Sequence, residues 1–197
     1  MIYKPAKVKP LGDPVTDVAP AYDRFPLAQR FALAGKPQST FLVIGNHLKS
    51  RGSAPQSGDT EMGAGAWNRK RVLQSQSMVL FVKQLQKQFS EPRALILGDF
   101  NAYAAEAPLR AVQAEGFVPL EEGLAPEQRY SFVFAGRSGS IDHALASPAL
   151  KSLLTGITIW HVNCDEPVFL SYSNPNASAG PHRSSDHDPV VMGFNLN

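Results

Sequence analysis

Short apolar runs, each closed by polar residues, divide this chain into alternating strands and helices. Residues 40–45 (TFLVIG), 94–98 (ALILG), 157–162 (ITIWHV) and 190–196 (VVMGFNL) have the length and side-chain types of buried strands. Between the first two, residues 66–89 place Val72, Val79, Val82, Leu85 and Phe89 near one face at helical spacing. That spacing predicts one long helix, with Lys83 and Lys87 on its solvated side. A short helix at 108–115 stops at Gly116, and another covers 149–154. The runs 130–134 and 140–145 flank Ala-Gly-Arg-Ser-Gly and read as a hairpin. Residues 51–65 lack periodicity and predict a mobile Gly/Ser loop. Residues 171–185, rich in Ser, Asn, Pro and Gly, predict the flexible rim of a cleft. No repeat or linker interrupts the pattern, so the 197 residues read as one layered α/β domain.

The chemistry sits where the predicted strands end. LVIGNHLKS, 42–50, breaks an apolar run with Asn46 and His47. ALILGDFNAY, 94–103, does the same with Asp99 and Asn101, whose two-residue spacing aims both side chains one way if the extended geometry continues. In GSIDHALAS, 139–147, Asp142 and His143 interrupt a strand-like run, where a carboxylate must be paired or functional. SSDHDPVV, 184–191, sets Asp186 and His187 directly before the last strand. Any one of these segments could be a capped turn or a satisfied core polar group. Four strand ends that each deliver Asp, Asn or His point instead to one convergent site.

In this order, NHLKS, GDFNAY, SIDHAL and SSDHDP resemble the endonuclease/exonuclease/phosphatase superfamily, whose best known type is deoxyribonuclease I. GAGAWNRKR, 63–71, and WHVNCDEP, 160–167, are similar to segments of the bacterial extracellular nucleases within it. The resemblance runs from Ile2 through nearly the whole chain. It implies a two-sheet β-sandwich flanked by helices. The family's opening strand with an Asn, and a later strand with a metal-binding Glu, are not visible, so the domain reads as N-terminally incomplete. Glu61 lies in a Gly-rich stretch and does not match that strand context. The implied roles are specific. His187 contacts the scissile phosphate and moves a proton, and Asp142 orients it. Asp186 helps bind Mg²⁺ (or Mn²⁺ or Ca²⁺). Asp99 positions or deprotonates the attacking water, Asn101 holds a phosphate oxygen, and His47 stands on the leaving-group side. The implied activity is metal-dependent hydrolysis of DNA, with RNA as a second substrate, at little sequence preference. The alternatives are a phosphatase or lipid phosphodiesterase on the same scaffold, or a catalytically incomplete remnant that binds nucleic acid.

Composition narrows this picture little. At 43% hydrophobic and 18% charged the chain is ordinary for a globular protein, and no stretch approaches a membrane-spanning length. Residues 1–10 carry no signal-peptide core, so secretion rests on the resemblance alone. Cys164 is the sole cysteine, which excludes an intrachain disulfide. Net charge is +2 but unevenly spread: residues 47–93 hold eight Lys/Arg against three acids, and residues 94–197 hold five against eleven. Lys49, Arg51, Arg69, Lys70 and Arg71 can therefore meet phosphates, and Lys49, Asn68 and Arg71 are the expected substrate contacts. The basic stretch favours a polyanion over a membrane, and no exposed aromatic hairpin of the kind a membrane-acting relative needs is evident. No obligate protein partner is evident either. Trp67 and Trp160 read as core packing, and His161 and His182 as surface or satisfied histidines. Asp165 and Glu166 read equally as an acidic turn or as ligands of a structural cation.

Overall fold

The computed structural model describes residues 1–60, 63–177 and 180–196. The chain opens with strands β1 (Val8–Pro10), β2 (Val15–Thr16), β3 (Leu27–Leu33) and β4 (Lys36–His47). Helix α1 (Asn68–Phe89), strand β5 (Ala94–Asp99), helix α2 (Ala107–Gln113) and strand β6 (Val118–Pro119) follow. Strands β7 (Phe132–Phe134), β8 (Arg137–Gly139) and β9 (Asp142–Ala146) precede helix α3 (Pro148–Lys151) and strands β10 (Leu154–Ile159) and β11 (Val190–Phe194). A seven-stranded mixed sheet runs in the order β1-β3-β4-β5-β9-β6, with β2 attached to β3. β4 and β5 are parallel, and α1 supplies the crossover that a parallel pair requires. β9 returns antiparallel beside β5.

The sheet separates two apolar layers. Leu42 and Ile44 of β4 and Ala94 and Ile96 of β5 meet Met78, Val79, Val82 and Leu85 of α1 and Leu109 and Val112 of α2. α1 thus buries the stripe its spacing predicts over its second half. Over its first half the buried side chains are polar: Arg71, Gln74 and Ser75. That end of the helix packs on loops whose backbone needs partners. Gln74 accepts the Lys49 amide and donates to the Ala21 carbonyl. On the other face, Leu95, Ala144 and Ala146 pack against the ribbon of β10 and β11 through Leu154, Ile157, Met192 and Phe194. Among the described residues this two-stranded ribbon is what stands opposite the main sheet as a second sheet. Beside it the same face of β3 and β4 forms an open groove of about 710 Å³, lined by Tyr3, Phe25, Phe31, Phe41 and Val43.

Three expectations change. The hairpin closes earlier than predicted, with β7 pairing β8 rather than residues 140–145. Ala135 and Gly136 both take positive φ (50° and 74°), the left-handed pair of a tight two-residue turn, so the return strand begins at Arg137. Residues 142–146 are freed to enter the main sheet as β9. Trp160 is 58% exposed rather than core, because it follows the end of β10. The second short helix stops at Lys151, and Leu154 already belongs to β10. No helix among the described residues is long and apolar enough to cross a membrane.

Candidate active site

Parallel pairing brings the ends of β4 and β5 together, and the antiparallel return of β9 places its first residue beside them. In register, His47 lies opposite Asp99, and Asp99 lies opposite Asp142. Cross-strand neighbours share a sheet face, so these three side chains form one row. The row requires the backbones of β4 and β5 to approach closely at Gly98, whose φ is +137°. A Cβ there would lie 2.0 Å from the Asn46 carbonyl oxygen, which only glycine tolerates. Asn46 seals the approach by donating its side-chain amide to the Leu97 carbonyl (2.8 Å).

His187 completes the row from a loop. Its Nδ1 lies 2.7 Å from Asp142 Oδ2, and the same carboxylate oxygen accepts from the Ser131 hydroxyl (2.7 Å). The carboxylate holds the proton on Nδ1 and leaves Nε2 as the working atom. His47 Nε2 stands 3.4 Å from Asp99 Oδ2. The Asp142 hydrogen bond raises the pKa of His187 against the opposing effect of burial, and the charges of Asp142, Asp99 and Asp186 add to it. Asp99 is also raised. Burial is the main cause and Asp142 adds to it, while the Asn101 backbone N–H and both histidines oppose. The site therefore holds an imidazole that keeps its proton to higher pH than usual and a carboxylate more basic than usual.

Asn101 meets Asp99, but not by the predicted route. Its φ of +48° turns the chain out of the extended conformation. The turn brings its backbone N–H to Asp99 Oδ1 (2.7 Å) and its side-chain amide to Asp99 Oδ2 (3.1 Å) and the Leu48 carbonyl (3.2 Å). Asn101 thus orients Asp99. Asp186 is exposed, and it lines the same cleft of about 660 Å³ as His47, Asp99, Asn101 and His187.

The expected substrate contacts lie elsewhere. Arg71 is fully buried, with its guanidinium on the carbonyls of Ala66 (2.7 Å), Ala64 (3.1 Å) and Lys49 (3.3 Å), so it organises the loops rather than meeting a phosphate. Lys49 lies over the Trp67 ring (5.0 Å), and Asn68 opens α1; neither lines the cleft. Lys70 pairs with Asp23 (2.5 Å), and the backbone N–H groups of Arg69 and Lys70 cap onto Asp59. Arg51 does reach the cleft, stacked on Tyr103 (4.8 Å) and paired with Glu106. Of the expected rim, Tyr172, Asn174, Ala177, His182 and Ser184 border a separate hollow with Leu170, and Glu61 lies outside the described residues. Asp165 accepts from the Tyr130 hydroxyl (2.6 Å), and Glu166 stands 3.2 Å from His182. The absence of an exposed aromatic hairpin is also corrected: the β7–β8 hairpin carries Phe134, 67% exposed, into the cleft wall.

Sequence reasoning missed the support of His187. Asp188 is buried and accepts the backbone N–H groups of Val162 (3.2 Å), Asn163 (2.8 Å) and Cys164 (3.0 Å). It also accepts the Cys164 thiol (2.8 Å) and lies 2.9 Å from His161 Nδ1. Burial alone would raise its pKa; these hydrogen bonds reverse that and hold it below the usual range. Burial and the neighbouring Asp188 push the Cys164 thiol up, so it stays protonated. Asn163 donates to the His187 carbonyl (2.7 Å), and Asp188 donates its own N–H to the Ser131 carbonyl (2.8 Å). The signal in the sequence was the presence of two polar segments, WHVNC at 160–164 and DHDP at 186–189, at either end of the loop that carries His187.

A histidine–carboxylate pair facing a second carboxylate at the ends of a mixed sheet is the layout of a hydrolase that uses water. Residues 8–187 match the Endonuclease/Exonuclease/phosphatase family, and the chain belongs to it. Its fold is similar to that of a family protein from Bacteroides thetaiotaomicron, with TM-score 0.64, 17% identity, and coverage of 96% of this chain and 64% of that one. The human Nocturnin catalytic domain is similar at TM-score 0.55 and 13% identity, over 78% of this chain and 51% of that one. The 3′ phosphatase NExo from Neisseria, solved with a product DNA hairpin, is similar at TM-score 0.53 and 17% identity, over 86% and 64%. The chain thus spans between half and two-thirds of the length of these structures. No curated protein matches it in sequence. The family acts hydrolytically on phosphoester bonds.

Proposed function

We propose that this chain is a divalent-metal-dependent phosphodiesterase that hydrolyses DNA, and RNA as a second substrate, with little sequence preference. One observation carries the reading: His187, held by Asp142, shares a row with Asp99 and His47 at one end of the sheet. In hydrolysis a water oxygen forms a new bond to phosphorus while the bond to the leaving oxygen breaks. Asp99, its carboxylate fixed by Asn101 and raised in pKa, takes the water proton. His187, its pKa raised by Asp142, presents Nε2–H to the phosphate and passes a proton toward the departing oxygen. His47 stands on the leaving-group side.

A divalent cation supplies neutralisation of the non-bridging oxygens. The donor that lines the cleft for it is the exposed Asp186 carboxylate, whose oxygens would suit Mg²⁺, Mn²⁺ or Ca²⁺. No group of three or more His, Cys, Asp or Glu among the described residues gathers closely enough to hold an ion. A cation held there would rest on Asp186 and would need water and the substrate phosphate to complete its oxygen ligands. The same observation favours the rival reading, a chain that binds nucleic acid without cutting it. On the resemblance of GAGAWNRKR and WHVNCDEP to segments of bacterial extracellular nucleases, we propose that the reaction takes place outside the cell or in the periplasm.

The test is nicking of supercoiled plasmid with Mg²⁺ or Mn²⁺ against EDTA, beside His187→Ala. Metal-dependent nicking lost in the variant supports the reading. A folded chain that retards plasmid on a gel but leaves it intact supports the rival. Release of inorganic phosphate from a 3′-phosphorylated oligonucleotide without nicking would make the chain a phosphatase.

A further inference from the structure

We propose that Phe134 is a stacking platform for an unpaired nucleobase next to the scissile phosphate, so that the site prefers single-stranded nucleic acid. This rests on the phosphodiesterase reading above. Phe134 is 67% exposed, and its exposure serves no packing purpose in the fold. It lines the same cleft as His187, Asp99 and Asn101. Its ring lies nearly parallel to that of Phe132 (14° between planes, centroids 6.2 Å apart), and Phe132 in turn lies tilted against the His187 imidazole (4.8 Å). An aromatic ladder therefore climbs from the catalytic histidine to the cleft mouth, and its outermost ring is the uncovered one.

The ladder is held at a fixed place. The hairpin tip is the tight Ala135–Gly136 turn, not a slack loop. At its root the Ser131 hydroxyl donates to Asp142, its N–H donates to the Gly139 carbonyl (3.1 Å), and Phe132 bridges to His187. Gly139 lies so close to the Tyr103 ring that a Cβ would stand 2.6 Å from it. The platform is thus tied to both members of the histidine–carboxylate pair, so a base resting on it has a defined height above the reacting phosphate. Arg24 and Arg51 line the same cleft and favour a polyanion there.

The chemistry selects the ligand. Every nucleobase offers a π face, and such stacking tolerates any sequence. In a duplex both faces of each base are already covered by neighbours, so only a base that has left its stack can use the ring. A lipid substrate is the competing source of a phosphodiester. It is disfavoured because Phe134 lines the cleft that holds the catalytic groups rather than standing alone on an outer surface.

The experiment compares the parent chain with Phe134→Ala and Phe134→Trp on three substrates. These are a single-stranded oligonucleotide, the same oligonucleotide with one abasic residue beside the scissile phosphate, and its duplex. A second readout is the quenching of 2-aminopurine fluorescence when a labelled single strand binds the His187→Ala chain in EDTA. We expect the alanine variant to lose roughly 5- to 150-fold in kcat/KM on the single strand, the range of a lost base–aromatic stack. The tryptophan variant should retain activity and quenching, and the abasic substrate should not distinguish alanine from the parent. Equal cleavage of the intact single strand by parent and alanine variant would overturn the proposal and leave the phosphodiesterase reading standing. So would loss of binding to phosphatidylglycerol vesicles with oligonucleotide binding unchanged. A parent that neither binds nor cuts any of the three would overturn both.

Discussion

Replacing Asp188 by Asn tests whether a buried carboxylate outside the reacting groups fixes His187. The substitution keeps the volume and one acceptor oxygen, so the three backbone N–H groups of residues 162–164 retain a partner. The new NH2 group must then face the Cys164 thiol and His161 Nδ1, both donors in the parent. His161 can relieve the clash only by moving its proton to Nε2, which is buried with no hydrogen-bond partner and would become an unpaired donor. Each buried donor left unpaired costs about 1–3 kcal/mol, and breaking a buried charged network costs about 3–5 kcal/mol. We expect Asp188→Asn to cost about 3–5 kcal/mol of a total that is typically about 5–15 kcal/mol. Urea unfolding should show a lower midpoint with the slope unchanged. The acid limb supplies an independent readout. A carboxyl whose folded pKa is depressed contributes stability above its unfolded pKa of about 3.9 and loses it as pH falls through the folded value. The parent should therefore lose stability below about pH 4 more steeply than the variant. Because Asn163 and Asp188 position the His187 backbone, kcat should fall with KM little changed. A cost below about 1 kcal/mol, or identical acid limbs, would refute the account of Asp188 as a buried anion.

Asp142→Asn removes the main cause of the raised His187 pKa, so the alkaline fall of kcat should move to lower pH; a proton NMR titration of His187 reports the same shift directly. In the parent, that raised pKa contributes stability present below the unfolded value of about 6.5 and lost as pH rises through the folded value. Gly98→Ala should separate β4 from β5 or prevent folding, at about 3 kcal/mol or more; a melting temperature within a few degrees of the parent's would contradict the 2.0 Å approach. Arg71→Ala should lower stability by about 3–5 kcal/mol while leaving the KM of the surviving folded protein near that of the parent; a raised KM at unchanged stability would restore Arg71 to the substrate.

What the sequence disclosed and what it hid follow one physical division. Strand-end carboxylates and histidines are legible because they interrupt apolar runs, and the buried halves of β4, β5 and β9 could be read from those runs. Arg71 was misread because a basic residue beside other basic residues looks like surface. Only the loops packed on the first turns of α1 reveal that its guanidinium answers backbone carbonyls. Asn101 reaches the cleft by a route other than the extended spacing expected of it, since its left-handed φ belongs to the turn that brings it to Asp99. The early closure of the hairpin followed from Gly136 joined to a residue, Ala135, that seldom takes positive φ. The second sheet was anticipated from family likeness and could not be read from periodicity.

The four groups do not share one kind of anchorage. His47, Asp99 and Asp142 ride on three adjacent strands in fixed register, so their spacing is set by the sheet's own hydrogen bonds. His187 rides on the loop between β10 and β11; Asp142 holds its ring, and its backbone is held by one bridge to Phe132, by Asn163, by the Ser185 hydroxyl and by the neighbouring Asp188. Changes to the WHVNC segment should therefore reach the chemistry, while changes of similar size on the outer face of α1 should not. A rigid sheet holds the carboxylates that must not move. The proton-carrying histidine hangs from a loop, and a buried anion compensates by tying that loop to its neighbour.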